Sequence, residues 1–239
     1  MSRNCSRMSK NFIHIPKNAG SAIRQSIPGI ISGSRRLLNA NELVVINSLN
    51  KFGMRASYGH LRARDNINIA KKKQGGFSVV RNPWSREYSK YKYLMSQINS
   101  DDKKDSQRRV KLAKKYNCNY KDVGWKKGFE NYLEMRHEFM DQPWVWLHAC
   151  ESFYSQISYL VINNKVPDNI IIFRQERLSE DLKSHGYNAK IKSINVSNSD
   201  IDYMDIYDNN TRSIVADIYK EDIDYFGFDF DNSAVRNVG

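Results

Sequence analysis

NFIHIPKNAGSAIRQSI, residues Asn11 to Ile27, is the stretch from which the fold can be read. A short apolar run, Phe12-Ile13-His14-Ile15, breaks at Pro16 and passes through Lys17-Asn18-Ala19-Gly20-Ser21. It resumes with Ala22, Ile23 and Ile27 at helical spacing. The pattern predicts strand, loop and helix. Such a turn aims the first backbone N–H groups of the helix at one point, where unpaired donors and the positive end of the helix dipole favour an anion. Lys17 adds a full positive charge and Ser21 a hydroxyl. Gly20 lets backbone approach a ligand closely, and Ser21 is also a candidate N-cap. The nucleotide-triphosphate spacing GxxxxGKS/T is not met, because Lys17 precedes the glycine. A phosphate-like ligand is expected, with nothing that singles out ATP.

Outward from this turn the same grammar repeats. Lys71 to Gly76 is a basic, glycine-ended connection into Phe77-Ser78-Val79-Val80, an apolar strand of the buried parallel kind. Arg81-Asn82-Pro83-Trp84 stands at its carboxyl end. Pro83 suits the first turn of a helix whose face carries Tyr88, Tyr91 and Leu94. A third strand is expected over Asn169-Ile170-Ile171-Ile172-Phe173-Arg174, preceded by a helix over Glu151 to Ile162 and followed by one beginning at Gln175 to Leu182. Between the first two junctions, Arg35 to Leu49 has a helical pattern, and Tyr58-Gly59-His60 ends a short strand-like segment. Strands alternating with helices predict an α/β fold, a central mostly parallel sheet flanked by helices, with ligands at the carboxyl edge. Lys17, His60, Arg81 and Arg174 all fall on that expected edge.

The remaining stretches carry less chemistry. Ser96 to Lys127 is a charged elaboration with one short helix expected around Arg108 to Tyr116, and Phe129 to Met140 is amphipathic. Gln142-Pro143-Trp144-Val145-Trp146-Leu147 is an aromatic loop, Asp208 to Tyr225 a helical run, and Phe226-Gly227-Phe228-Asp229-Phe230 a packed tail. No internal repeat suggests a second domain. A single domain over residues 1–239 is expected, with 1–10 flexible.

Composition bounds the setting. No run of about 18 apolar residues is present to span a membrane. The start, MSRNCSRMSK, lacks the apolar centre of a secretory signal. Cys5, Cys118 and Cys150 are odd in number and scattered, fitting neither a disulfide framework nor a zinc cluster, so a reducing cytoplasm is the simplest home. The net charge of +12 is concentrated before residue 128, while the last third carries most of the acids. A solvated basic face or an anionic cofactor or acceptor accounts for it; nucleic acid lacks a recognition motif.

Two anion-friendly junctions suggest a ligand with two separated anionic ends, and here a family resemblance enters. His14-Ile15-Pro16-Lys17-Asn18-Ala19-Gly20-Ser21 resembles the 5′-phosphosulfate loop of the sulfotransferases that use 3′-phosphoadenosine 5′-phosphosulfate (PAPS), in the branch containing the carbohydrate O-sulfotransferases. Val80-Arg81-Asn82-Pro83-Trp84-Ser85-Arg86-Glu87-Tyr88-Ser89 resembles that family's 3′-phosphate motif, in which an arginine and a serine eight residues later hold the phosphate. Arg81 and Ser89 keep that spacing. Weaker similarity runs through Phe173 to Leu178 and the acidic helix ending in Tyr225-Phe226-Gly227-Phe228.

The resemblance implies a P-loop nucleotide-kinase-like sulfotransferase fold and in-line sulfuryl transfer from PAPS to an acceptor hydroxyl, most plausibly of a carbohydrate, leaving 3′-phosphoadenosine 5′-phosphate (PAP). Lys17 would neutralise the bridging oxygen of the leaving phosphate, helped by loop amides from Asn18, Ala19, Gly20, Ser21 and Ala22. His60 would be the general base, since Tyr58-Gly59-His60 resembles the segment supplying a catalytic histidine in the uronyl 2-O-sulfotransferase branch. Asn195 and Ser197 lie where the family has a loop closing over the nucleotide. Arg62, Arg64 and Trp144 are candidates to meet the acceptor, a small molecule or a glycan, with anionic acceptors included. His14 is read as structural, and His137, His148 and His185 form no ligand pattern, so no metal is expected. The late lysine- or arginine-glycine loop of several sulfotransferases has no match here. The alternatives are a nucleotide-kinase-like phosphotransferase, which should show a Walker lysine and acidic magnesium ligands, and a non-enzymatic protein that binds nucleic acid or another polyanion.

Overall fold

The computed structural model describes residues 11–30, 63, 69, 74–99, 107–138, 155–187, 191 and 201–232. In chain order these form strand β1 (Asn11–Ile13), helix α1 (Gly20–Ser26), strand β2 (Gly76–Val80), and helices α2 (Pro83–Ile98), α3 (Gln107–Lys115), α4 (Tyr120–Val123) and α5 (Trp125–Glu138). Strand β3 (Ile170–Arg174) follows, then helices α6 (Leu178–Ser184), α7 (Tyr203–Ile206), α8 (Asn209–Ile218) and α9 (Lys220–Phe226). They fall into two compact units, one holding the three strands with α1 and α6, the other holding the remaining helices.

In the first unit the strands lie in the order β1, β2, β3, all parallel. Phe12 stands opposite Phe77, Ile13 opposite Ser78, and Val80 opposite Arg174. Every residue of β1 and β2 is buried, which is why these strands read as continuous apolar runs rather than alternating ones. Phe77 is the hub of one face, with ring centres of Phe12, Tyr187 and Phe173 at 5.1, 5.2 and 5.7 Å. Ile23 of α1 and Leu178 and Leu182 of α6 complete this core. Each such side chain contributes about 1.5–3 kcal/mol of burial. Ser78, buried in β2, is satisfied by donating its hydroxyl to the Ile13 carbonyl at 2.8 Å.

Two expectations are corrected in this unit. The predicted helix over Glu151 to Ile162 is not α-helical in its described part. A single 3-10 turn at Ile157–Tyr159 leads into a bridge between Ile162 and Lys165, around Asn163 and Asn164 with φ of 52° and 64°. Ile157, Leu160 and Val161 have helical spacing. Asparagine tolerates the left-handed region, however, and the pair turns the chain before a second helical turn can form. The helix expected from Gln175 begins as a 3-10 turn, Gln175–Arg177, and becomes α-helical only at Leu178.

The helical unit is centred on α2. Asn82 caps it, its Oδ1 accepting the N–H groups of Trp84 at 3.0 Å and Ser85 at 3.3 Å, and Pro83 occupies the first turn. The expected face of Tyr88, Tyr91 and Leu94 is buried, and Tyr91 donates to the Cys118 carbonyl at 2.9 Å. The run from Asp208 to Tyr225 is two helices rather than one, broken at Tyr219. Asp208 opens the first with a capping box, accepting the Thr211 N–H at 2.8 Å while its own N–H donates to Thr211 Oγ1 at 2.9 Å. The expected packed tail is present, with Phe230 edge-on to Trp84, Tyr203 and Tyr207.

Charged residues of α2 are buried as deeply as the aromatic ones. Glu87 Oε1 pairs with Arg136 Nη1 at 2.5 Å and accepts the Tyr132 hydroxyl at 2.9 Å. Glu87 Oε2 accepts the Tyr219 hydroxyl at 2.7 Å and lies 3.3 Å from Lys90 Nζ, which donates to Tyr219 at 2.6 Å. Burial pushes the Glu87 carboxyl up, but Arg136, Lys90 and the two tyrosine hydroxyls outweigh it and hold the group at about 2. Burial draws Lys90 well below the usual lysine range against the attraction of Glu87, and Arg86 and Arg136 add repulsion. Burial also opposes the Arg136 charge, which Glu87 restores and strengthens. Glu87 and Arg136 are therefore the ion pair on which this network rests.

Candidate functional site

The loop leaving β1 turns through two non-glycine residues in the left-handed region, Lys17 at φ 67° and Ala19 at φ 57°. Such residues cost roughly 1–2 kcal/mol each and persist only where the surroundings impose them. Asn18, buried between them, supplies the constraint. Its Nδ2 donates to the Val79 carbonyl at 2.8 Å and to Gln156 Oε1 at 2.6 Å. Gln156 Oε1 also accepts the Arg81 N–H at 2.8 Å, and its Nε2 donates to the Arg81 carbonyl at 2.8 Å. Arg81 closes the ring by donating from Nη1 to the Lys17 carbonyl at 3.3 Å. The loop after β1 and the end of β2 are thus one hydrogen-bonded piece.

Lys17, Arg81 and Arg174 leave the carboxyl ends of three adjacent parallel strands. Lys17 and Arg81 are half-buried and Arg174 is buried, its N–H donating to Asp181 Oδ2 at 3.1 Å. This is the edge at which open α/β sheets take ligands. Two half-buried cations, one carrying a planar fork, suit phosphate-like oxygens. Helix α1 has only seven residues, so the positive character of the edge comes mainly from these side chains rather than from a helix dipole.

The other predicted positions are distributed as follows. Ala19, not Ser21, is at the N-cap of α1, and no side chain caps the helix there. The capping alternative for Ser21 is corrected accordingly: the left-handed turn at Ala19 starts the helix two residues before it, and Ser21 is half-buried in the first turn. Ala22 is buried in the packing of α1. Ser89 is half-buried on α2 of the helical unit. His60, Asn195, Ser197, Arg62, Arg64 and Trp144 lie outside the described residues, as do the segments Arg35 to Leu49 and Gln142 to Leu147.

Gly20 has a structural use of its own. A Cβ there would stand 1.8 Å from Nε2 of His14, whose buried ring stacks on Phe12 at 5.4 Å. His14, expected within the first strand, follows it directly and packs its ring between Phe12 and Gly20. Gly20→Ala is expected to displace the ring and lower stability by about 1–3 kcal/mol in denaturant unfolding. His14→Ala should relieve the clash, so a double-mutant cycle should give a coupling that offsets most of the Gly20→Ala loss. Additive losses would show that the ring is not what excludes the side chain.

Gln156 is the residue that the sequence did not single out. It sits among Ser155, Ile157 and Ser158 with no motif around it, and its importance comes from bonds to Asn18 and Arg81, 138 and 75 residues away. Among the described residues no helix is long and apolar enough to cross a membrane. No protein-family model, curated protein or solved structure matches the chain significantly.

Proposed function

We propose that the chain is a PAPS-dependent sulfotransferase with a P-loop-type fold, moving a sulfuryl group to an acceptor hydroxyl, most plausibly of a carbohydrate. The observation that carries this reading is the joining of Lys17 and Arg81, from the two motifs, in one hydrogen-bonded piece at the carboxyl edge of adjacent parallel strands. The donor set suits PAPS, which has anionic groups at both ends. Lys17 would hold the phosphosulfate end and stabilise charge on the bridging oxygen as the sulfur–oxygen bond breaks. Arg81 and Ser89, by motif spacing, would hold the 3′-phosphate. The acceptor oxygen forms the new bond to sulfur, and its proton passes to His60, the proposed base.

Isothermal calorimetry tests this. PAP is expected to bind, ATP with magnesium is not, and Arg81→Ala should weaken PAP by about 10- to 100-fold through loss of a charge-assisted, forked contact. Binding of ATP with magnesium and not of PAP would sink the proposal in favour of a phosphotransferase. An acceptor screen with labelled PAPS over glycans, lipids, small alcohols and tyrosyl peptides would then identify the hydroxyl.

A further inference from the structure

Gln156 meets the carboxyl edge with its side chain, while its backbone is held in a turn of its own. The Gln156 carbonyl accepts the Tyr159 N–H at 3.1 Å, and Ser158 Oγ donates to the Ser155 carbonyl at 2.6 Å. Ile157, Tyr159 and Leu160, which follow it, are buried. The Gln156 side chain is fully buried as well, with its amide bonded to both Asn18 and Arg81.

The Arg81 backbone decides which end of that amide is oxygen, since an N–H must meet an acceptor and a carbonyl a donor. With Oε1 so placed, Asn18 faces two acceptors, Gln156 Oε1 and the Val79 carbonyl, and presents Nδ2 to both. β2 pairs with β3 as far as Val80 opposite Arg174. One residue on, the N–H and C=O of Arg81 are both taken by the Gln156 amide, much as a peptide group of a neighbouring strand would take them. Through Asn18 the same amide reaches the loop that holds Lys17 at φ 67° and Ala19 at φ 57°, conformations that an untethered loop would leave.

We propose that Gln156 is a positioning residue for anion binding. Its amide fixes the Lys17 loop against Arg81, so that a ligand reaching both cations does not have to order the loop against the strand end. Gln156 acts through Asn18 and Arg81 and is not placed in contact with the ligand. The choice of PAP as one probe rests on the transferase reading; the role of Gln156 does not.

Isothermal calorimetry with PAP and, separately, with inorganic pyrophosphate tests this on the wild-type chain, Gln156→Met, Asn18→Ala and the double variant. Gln156→Met keeps the length of the side chain and removes its amide. It is expected to weaken PAP by about 10-fold, the scale of re-ordering a few side chains on binding. Asn18→Ala releases the loop, leaves both Gln156–Arg81 bonds in place, and should weaken PAP by a similar factor. The two losses should not multiply, because each breaks the same ring; the double variant is expected within about threefold of the weaker single one. A purely structural glutamine would lower the thermal midpoint and leave the affinity of the folded protein unchanged. That result would overturn the proposal, as would losses that multiply. If Gln156→Met is unfolded at the working temperature, Asn18→Ala decides by the same affinity criterion. Pyrophosphate separates this role from the transferase reading. Pyrophosphate binding that both variants weaken, with no PAP binding, removes the transferase and keeps the role of Gln156. PAP binding that neither variant weakens does the reverse, and binding of neither anion by the wild-type chain overturns both.

Discussion

Glu87→Gln is expected to destabilise the protein by about 3–5 kcal/mol, the cost of leaving a buried cation without its counter-charge. The substitution keeps the shape of the side chain but removes the anion facing Arg136 at 2.5 Å and Lys90 at 3.3 Å. Domains are stable by only about 5–15 kcal/mol in all, so this is a large share. Denaturant unfolding at neutral pH measures it directly, and a loss under 1 kcal/mol would mean that water or rearrangement screens the network. The pH profile gives an independent sign. The Glu87 carboxyl is held at about 2 in the folded chain against an ordinary value of 4.5. It therefore contributes stability above the unfolded value, lost as pH falls through the interval between about 4.5 and about 2. Glu87→Gln should flatten the acid limb over that interval.

Lys17→Ala is expected to lower sulfuryl transfer by about 10²–10³-fold or more, the scale seen when one preorganised donor to developing charge is removed. PAP affinity should fall as well, because the bridging oxygen stays on the PAP 5′-phosphate when the sulfur–oxygen bond breaks, and Lys17 would meet it there. The backbone supplies a control. Lys17 lies at φ 67°, so alanine inherits the same left-handed strain, whereas Lys17→Gly relieves it. Both variants should lose turnover, and only the glycine variant should gain about 1 kcal/mol in unfolding. Turnover retained in Lys17→Ala would remove this lysine from the reaction. Equal stability of the two would mean that the loop is not strained at this position.

β2 and β3 were legible because a strand buried in a parallel sheet has to be apolar along its whole length, and the junctions after β1 and β2 were legible because loop residues punctuate such runs. The helix over Glu151 to Ile162 was misread because apolar spacing cannot distinguish a helix from a segment whose polar residue is claimed by a distant partner. Gln156 is that residue, tied to Asn18 and Arg81. The left-handed turn at Ala19 moved the N-cap away from Ser21 for a similar reason, since a non-glycine residue takes that conformation only when contacts elsewhere hold it.

By itself the sequence determined the class of the sheet, the order of strand, loop and helix at both junctions, and the cations Lys17, Arg81 and Arg174 at strand ends. These are local matters of apolar period and loop punctuation. Only the tertiary structure decided that Gln156 and Asn18 lock the two junctions together, that Gly20 makes room for His14, and that Glu87, Lys90 and Arg136 are buried together behind what reads as an ordinary charged helix. Each of those depends on residues far apart in the chain meeting in space, and neither composition nor periodicity records which charge loses its water.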